Sequence, residues 1–335
     1  MSTTTTGAGV VASVAPVMRR VRVYFAPVNR SAGVPTLFDA AQLGRFDLHA
    51  PPAPWVDLGW VSEFTRKCET KVDALRAGAP AMAVGQVRTE VEATVSLEFE
   101  TWGKLQLTLA SGSQQTNLLT TAAGAAPNGS GGVAAAPVPL RTGTGPASTA
   151  TSLNVGAAAV ARFSVGSLVA VDVDYTGQLG YVGTGVSSAY VQSASAVGGD
   201  INYVRRVTLN VGVVVAITAG VLELASPLPA GIPTAGMQVS QLVGFCDREG
   251  ASFFQEWSGL FVMPGVQGDR VLVHYPRLQA MQGSTETEDT LAAPLERIRL
   301  AGAFRALPVK DTNDGETVLC FRSYLPAALR GGLSA

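Results

Sequence analysis

Gln86-Val-Arg-Thr-Glu-Val-Glu-Ala-Thr-Val-Ser-Leu-Glu-Phe-Glu100 alternates without a break. In an extended chain Val87, Thr89, Val91, Ala93, Val95, Leu97 and Phe99 share one face. Arg88, Glu90, Glu92, Thr94, Ser96, Glu98 and Glu100 share the other. Such sustained matching to period two predicts a strand, drawn here over residues 86–109, with one face buried and the other polar and mostly acidic. A slip by one residue would expose the apolar set and bury the carboxylates, so the pattern fixes the orientation. Burying Val87, Val91, Val95, Leu97 and Phe99 is worth on the order of 10 kcal/mol gross, at about 2 kcal/mol each.

Working outward, Lys67-Cys-Glu-Thr-Lys-Val-Asp-Ala-Leu75 reads as a partner strand with interleaved charges. Residues 18–25 alternate weakly. Residues 251–262, 270–278, 295–306 and 317–323 have the composition of further strands, and only residues 37–43 suggest a short helix.

Charge is unevenly placed. Between residues 105 and 244 the charged side chains are Arg141, Arg162, Asp172, Asp174, Asp200, Arg205, Arg206 and Glu223, out of 24 Lys and Arg and 25 Asp and Glu in the whole chain. A central segment so unlike its flanks reads as an insertion. It opens with Ala, Gly, Pro, Ser and Thr over residues 120–151, where no periodic apolar face forces a packed element. Short strands follow at 162–175, 189–193, 203–215, 220–224 and 237–245, separated by turns at 198–200 and 227–231, which suggests a small closed barrel of about eighty residues. The expected organisation is a flexible N-terminal arm at 1–17, a discontinuous core at 18–112 and 246–335, a low-complexity linker at 113–160, and an inserted small β-barrel at 161–245.

Composition excludes several classes. Apolar residues at 47% exclude disorder throughout. A net charge of −1 lacks the basic surplus of a general nucleic-acid binder. Cys68, Cys246 and Cys320 stand far apart with no CxxC, and His49 and His274 have no carboxylate or Cys at ligand spacing, so neither a metal nor a cofactor is expected. The three cysteines read as small buried hydrophobes. His274, in Val271-Leu-Val-His-Tyr-Pro276, reads as a hydrogen-bonded structural residue. Gly143-Thr-Gly-Pro146 lies in low-complexity sequence and reads as linker rather than phosphate loop, and Asn128-Gly-Ser130 as a chance sequon. No dinucleotide, P-loop or nucleophile-elbow motif occurs, and no apolar run is long enough to span a membrane. Catalytic residues are not expected, and the regular carboxylate row of Glu90, Glu92, Glu98 and Glu100 reads as a solvated face.

Several stretches, taken in order, resemble a known family. They are Val56-Asp-Leu-Gly-Trp60, the charged strand and the long alternating strand ending in Leu97-Glu-Phe-Glu-Thr-Trp102. Downstream come Asp269-Arg-Val-Leu-Val-His-Tyr-Pro-Arg277, Leu300-Ala-Gly-Ala-Phe-Arg-Ala-Leu-Pro-Val-Lys-Asp311 and Asp314-Gly-Glu316. Together they look like phage tail tube proteins (major tail proteins) over about residues 20–109 and 250–325, and the central insert lies outside the resemblance. The resemblance implies a mainly β fold with a tail-tube-type β-sandwich or barrel core. It implies subunits closing into rings, typically hexamers, by sheet-edge pairing, and rings stacking head to tail into a tube in the virion tail, assembled in the host cytoplasm. Its partners would be other copies of itself, other tail proteins and a sheath around the tube, with DNA passing through the lumen and no membrane contact. Arg88, Glu90, Glu92, Glu98 and Glu100 are the expected lumen-facing residues, their negative charge repelling phosphates. The alternative carried forward is a carbohydrate- or surface-binding β-module.

Overall fold

The computed structural model of the chain describes residues 20–28, 34–141, 145–173, 180–182, 189–191, 203–248, 256–266, 268–281, 286–292 and 295–327. The expected N-terminal arm at 1–17 and the turn at 198–200 lie outside the described residues.

The fold is mainly β, built from antiparallel sheets. The strands before the insert are β1 (Val21–Pro27), β2 (Val56–Ala77) and β3 (Met82–Phe99), with helix α1 (Ala40–Leu43) between the first two. Helix α2 (Lys104–Ser111) follows β3. The central region carries β4 (Gln114–Leu119), β5 (Val138–Pro139), β6 (Ser152–Asn154), α3 (Ala157–Val160), β7 (Leu168–Asp172), β8 (Gly180–Val182) and β9 (Ala189–Val191). It continues through α4 (Tyr203–Val207), β10 (Val211–Thr218), β11 (Val221–Leu224) and β12 (Gln238–Arg248). The chain ends in β13 (Glu256–Pro264), β14 (Arg270–Ala280), β15 (Glu286–Ala292), β16 (Leu295–Ala306), β17 (Val309–Lys310), β18 (Thr317–Val318) and β19 (Phe321–Leu325).

Strands β16, β3, β2, β1, β13 and β14 pair in that order, and β14 pairs back onto β16 through Leu278 with Ala306, Gln279 with Arg305 and Ala280 with Phe304. The flanking sequence thus closes into a barrel, with β15 and β19 attached as the outer edges of the same sheet. Val23, Phe25, Val61, Val95, Leu97, Phe99, Phe261, Tyr275, Leu300 and Phe304 fill its core, plugged by Leu105 and Leu109 of α2. A second apolar cluster on the outer face of β1 and β13 joins Tyr24, Leu260 and Val262 to Phe38 and Trp55. Strand β1 is therefore buried on both faces, which is why its sequence alternates so weakly.

Three expectations change. The strand drawn over residues 86–109 stops at Phe99, and residues 104–111 form α2, between Gly103 and the left-handed Gly112 at φ +66°. Lys104-Leu-Gln-Leu-Thr-Leu109 fits period two, but the buried residues Leu105, Thr108, Leu109 and Ala110 follow helical spacing, and the flanking glycines were the available signal. Residues 203–215, expected as one strand, divide into α4 and β10.

The third change concerns the insert. The expected linker at 113–160 is built into the sheet order β4-β12-β7-β10-β11-β6, with β5 also on β12. Val138, Leu153 and Val155 from that stretch are buried with Val169, Val171, Val214 and Leu222. Strands of two or three residues have no room for periodicity, and partners far along the chain supply their hydrogen bonds. Asn154 fixes one such strand, its Nδ2 donating to the Pro146 carbonyl at 2.9 Å and its Oδ1 accepting from the Gly156 N–H at 3.1 Å. The ends of this sheet, β4 and β6, do not pair among the described residues, so the expected closed barrel at 161–245 is here an open sheet that begins before residue 161.

Candidate functional site

The expected lumen-facing residues all lie on the β2–β3 hairpin or just beyond it. This hairpin is much longer than the barrel it belongs to. Near the barrel, Ala93, Val95, Leu97 and Phe99 of β3 are buried. Farther out the two strands leave the core as an arm, and Val87 and Val91, expected inside, are each 45% exposed. Among the described residues no second layer covers them. Val72, Leu75, Met82 and Val84 are exposed on the same arm. Cys68 is exposed there too, against the expectation that all three cysteines are buried, while Cys246 and Cys320 are half-buried.

The acidic face is not a bare negative surface. Glu90 pairs with Lys71 across the hairpin. Glu92 pairs with Arg305 at 2.8 Å, Glu98 with Arg299 at 3.2 Å, and Glu100 with Arg20 at 2.9 Å. Lys67 pairs with Glu69 of its own strand at 2.6 Å. The hydrogen bonds to Glu69 and Glu90 raise the ammonium groups of Lys67 and Lys71 above their ordinary value. The dense negative charge expected of this face is therefore corrected to a zwitterionic surface. The cations come from β2, β16 and the residue before β1, which no reading of β3 alone can place beside it.

Arg88 also departs from its expected row. The ladder pairs Lys71 with Glu90 but Val72 with Arg88, so β3 carries an extra residue at this register shift. Such a bulge breaks the alternation, and Arg88 no longer continues the face of Glu90. Its side chain lines a groove of about 940 Å³ at the root of the arm, together with Arg66, Glu90, Glu92, Arg305, Cys320 and Arg322. Arg66 is held inward, its Nε donating to the Tyr275 hydroxyl at 2.7 Å with the guanidinium 5.4 Å from that ring's centroid.

The Asp57-Leu-Gly-Trp60 motif opens β2 and is structural. Val23 pairs with Gly59 but Tyr24 with Asp57, so Leu58 is a bulge residue. Gly59 turns at φ +85°, where a Cβ would lie 3.0 Å from Thr101 Oγ1. Asp57 accepts from the Gly59 N–H at 2.9 Å and holds the buried Arg22 through both carboxylate oxygens, at 3.1 and 2.5 Å. The Arg22 guanidinium packs over Trp60, 5.2 Å from the ring centroid.

His274 is buried between Trp55 and Phe321. Its Nε2 accepts from the Phe38 N–H at 3.3 Å, leaving Nδ1 to donate to the Gly259 carbonyl at 3.2 Å. Burial lowers it to about 4. This neutral, twice-bonded ring ties α1's approach segment to the barrel.

A polar seam that the sequence reading missed joins the barrel to the central sheet. Lys104, at the start of α2, donates to Asn117 Oδ1 at 2.7 Å and to the Thr208 carbonyl at 2.8 Å, and burial lowers its ammonium to about 7. Asn117 Nδ2 donates to the Arg205 and Thr208 carbonyls at 3.0 and 2.8 Å, and Gln115 Nε2 to the Val207 carbonyl at 3.2 Å. The only sequence signal was a lone lysine in an otherwise uncharged stretch.

Among the described residues no group of three or more His, Cys, Asp or Glu is placed to hold a metal ion, and no helix is long and apolar enough to cross a membrane. Comparison of the chain with protein-family models and with curated proteins finds no match.

Proposed function

We propose that this chain is a structural subunit of a phage tail tube: copies close into a ring, most simply of six, and rings stack into a tube through which DNA passes on ejection. The observation that carries the reading is the β2–β3 arm. It is a long two-stranded ribbon with apolar side chains left in water on both strands, and a ribbon of this kind is marginal by itself. A neighbouring subunit covering Val72, Val84, Val87 and Val91 removes that cost. The barrel closed by β14 and β16, with further edges at β15 and β19, gives a rigid body from which such an arm can reach.

On this reading the zwitterionic face of Glu90, Glu92 and Glu98 serves the lumen or the contact between rings. A surface of alternating, paired charges presents little net field to phosphates and so lets DNA slide without binding. The central sheet, joined through the polar seam, sits outside the lumen, where it decorates the tail or meets other tail proteins or a sheath. Electron microscopy of the purified protein tests the reading. Rings or tubes are expected; a compact monomer at all concentrations overturns it and favours the carbohydrate- or surface-binding module.

A further inference from the structure

The register shift in β3 moves a charge from one face of the arm to the other. Residues directly opposite each other in an antiparallel pair share a face. Lys71 stands opposite Glu90, but Val72 stands opposite Arg88. Arg88 therefore shares the face of Val72, and alternation along β2 puts Thr70, Cys68 and Arg66 on that face too. An unbroken β3 would leave Arg88 among the carboxylates. With the bulge, its guanidinium joins Arg66 in the groove at the root of the arm. From Arg66 to Val72, at about 3.3 Å per residue, the two positions stand about 20 Å apart along the hairpin.

The groove has an excess of positive charge. Arg66, Lys67, Arg88, Arg305 and Arg322 line it, against Glu90 and Glu92. Glu92 is taken by Arg305, Glu90 by Lys71, and Lys67 by Glu69. Arg66, Arg88 and Arg322 are left without an acidic partner among the described residues. Arg66 is held by the Tyr275 hydroxyl, and its Nη2 lies 3.6 Å from the Cys320 Sγ. Burial raises the Cys320 thiol, and Arg66 and Arg322 both act against that shift, so both guanidiniums stand near one sulfur. The uncompensated charge thus forms a row, with two guanidiniums at the root and the exposed Arg88 farther along the arm. No aromatic side chain lines the groove.

We infer that this groove binds a chain of linked phosphates. One small oxyanion cannot touch both ends of such a row, whereas a ligand with a charge at every repeat can. Guanidiniums with unused, fork-shaped donors suit phosphate oxygens. Two sources carry this chemistry: the backbone of a single-stranded nucleic acid and inorganic polyphosphate. With no aromatic platform for bases, a nucleic acid would be held by its backbone alone and without regard to sequence. Three free guanidiniums make the contact weak and salt-dependent. The face of Glu92 and Glu98, whose charges are paired, offers no such row, so the two faces of the hairpin differ in what they hold. One copy of the chain suffices for the site, and the inference does not rest on the tube reading.

The test measures binding of a fluorescein-labelled oligothymidylate to the full chain by anisotropy, over a series of salt concentrations. Binding at low salt is expected, with log K falling against log salt at a slope of about −2, for three phosphates neutralised on a single strand. R88Q/R322Q, at two exposed positions, is expected to lower the affinity about tenfold and to flatten the slope by about 1.4. R76Q/R162Q, which removes the same charge away from the groove, is expected to bind as the unaltered chain does. Unlabelled oligothymidylate and polyphosphate, matched in phosphate, are expected to displace the probe, and whichever acts at the lower concentration identifies the source. Absence of binding at low salt overturns the inference. So does an R88Q/R322Q variant with unchanged affinity and slope, or an equal loss in R76Q/R162Q, which would reduce the effect to overall charge. Displacement by polyglutamate as effective as by polyphosphate also overturns it and reassigns the groove to acidic peptides. None of these outcomes touches the tube reading, which microscopy tests separately.

Discussion

One strand, β3, divides into two regions that read alike and behave differently. From Ala93 to Phe99 its odd-numbered side chains are buried in a closed barrel, and from Val84 to Val91 its apolar side chains stand in water. The sequence alternates through both from Val87 to Phe99, although in the second the ladder shifts register between Glu90 and Arg88. Period two therefore reports that a segment is a strand with a preferred inner face, and says nothing about whether a second layer exists to cover it. Phe304, Phe261 and Leu300 supply that layer for the first region, and they come from residues some two hundred positions later. Nothing in the described chain supplies it for the second.

The comparison breaks if substitutions in the two regions cost the same. Phe99→Ala is expected to destabilise the monomer by about 4 kcal/mol, because it opens a cavity among side chains that cannot collapse into it. Thermal or denaturant melting checks this. Asp57→Ala, at the barrel end of the same hairpin, is expected to cost about 3 kcal/mol, since it leaves Arg22 buried without its carboxylate and removes the acceptor for the Gly59 N–H.

The barrel should also show a pH dependence centred on His274. Its folded value, about 4, lies below the ordinary 6.5, so between these limits the unfolded chain binds more protons. The stability is then fully present above pH 6.5 and is lost as pH falls through about 4, by up to about 3 kcal/mol. Urea melts across this range check it, and His274→Gln should flatten the profile.

In the arm the effects on the monomer should be small. Val87→Ala and Val91→Ala are each expected to change monomer stability by less than about 0.5 kcal/mol, yet to weaken ring or tube formation measured by sedimentation. Equal losses of stability and assembly would mean that the arm is already packed in the monomer. The smallest stability effect is expected for Glu92→Lys with Glu98→Lys, partly exposed pairs worth little singly. If this face lines the lumen, the double substitution leaves assembly intact and slows DNA ejection from the particle, less so at higher salt; unchanged ejection removes the face from the lumen.

Much of the fold was legible because strands with one buried face carry their own periodicity. β14 and β16 stand within a residue or two of where the pattern puts them, and β3 keeps the expected alternation but ends at Phe99 rather than at residue 109. The low charge of the central segment marked a separate sheet, and the environment of His274 followed from an apolar strand without nearby carboxylates. The candidate face was legible only as a list of residues: Arg88, Glu90, Glu92, Glu98 and Glu100 were found, but not what stands beside them.

What the sequence determined by itself was local: strand identity and the polar and apolar faces of β3 near the barrel. What only the tertiary structure decided was non-local. It chose helix over strand at Lys104–Ser111, because an open barrel end needed Leu105 and Leu109 together. It gave order to residues 113–160 through partners on β12 and β11, because two-residue strands are held by backbone ladders that leave no mark in composition. It set Lys71, Arg299 and Arg305 against the carboxylates, because electrostatic pairing acts through space while the alternation of a strand records only its own two faces.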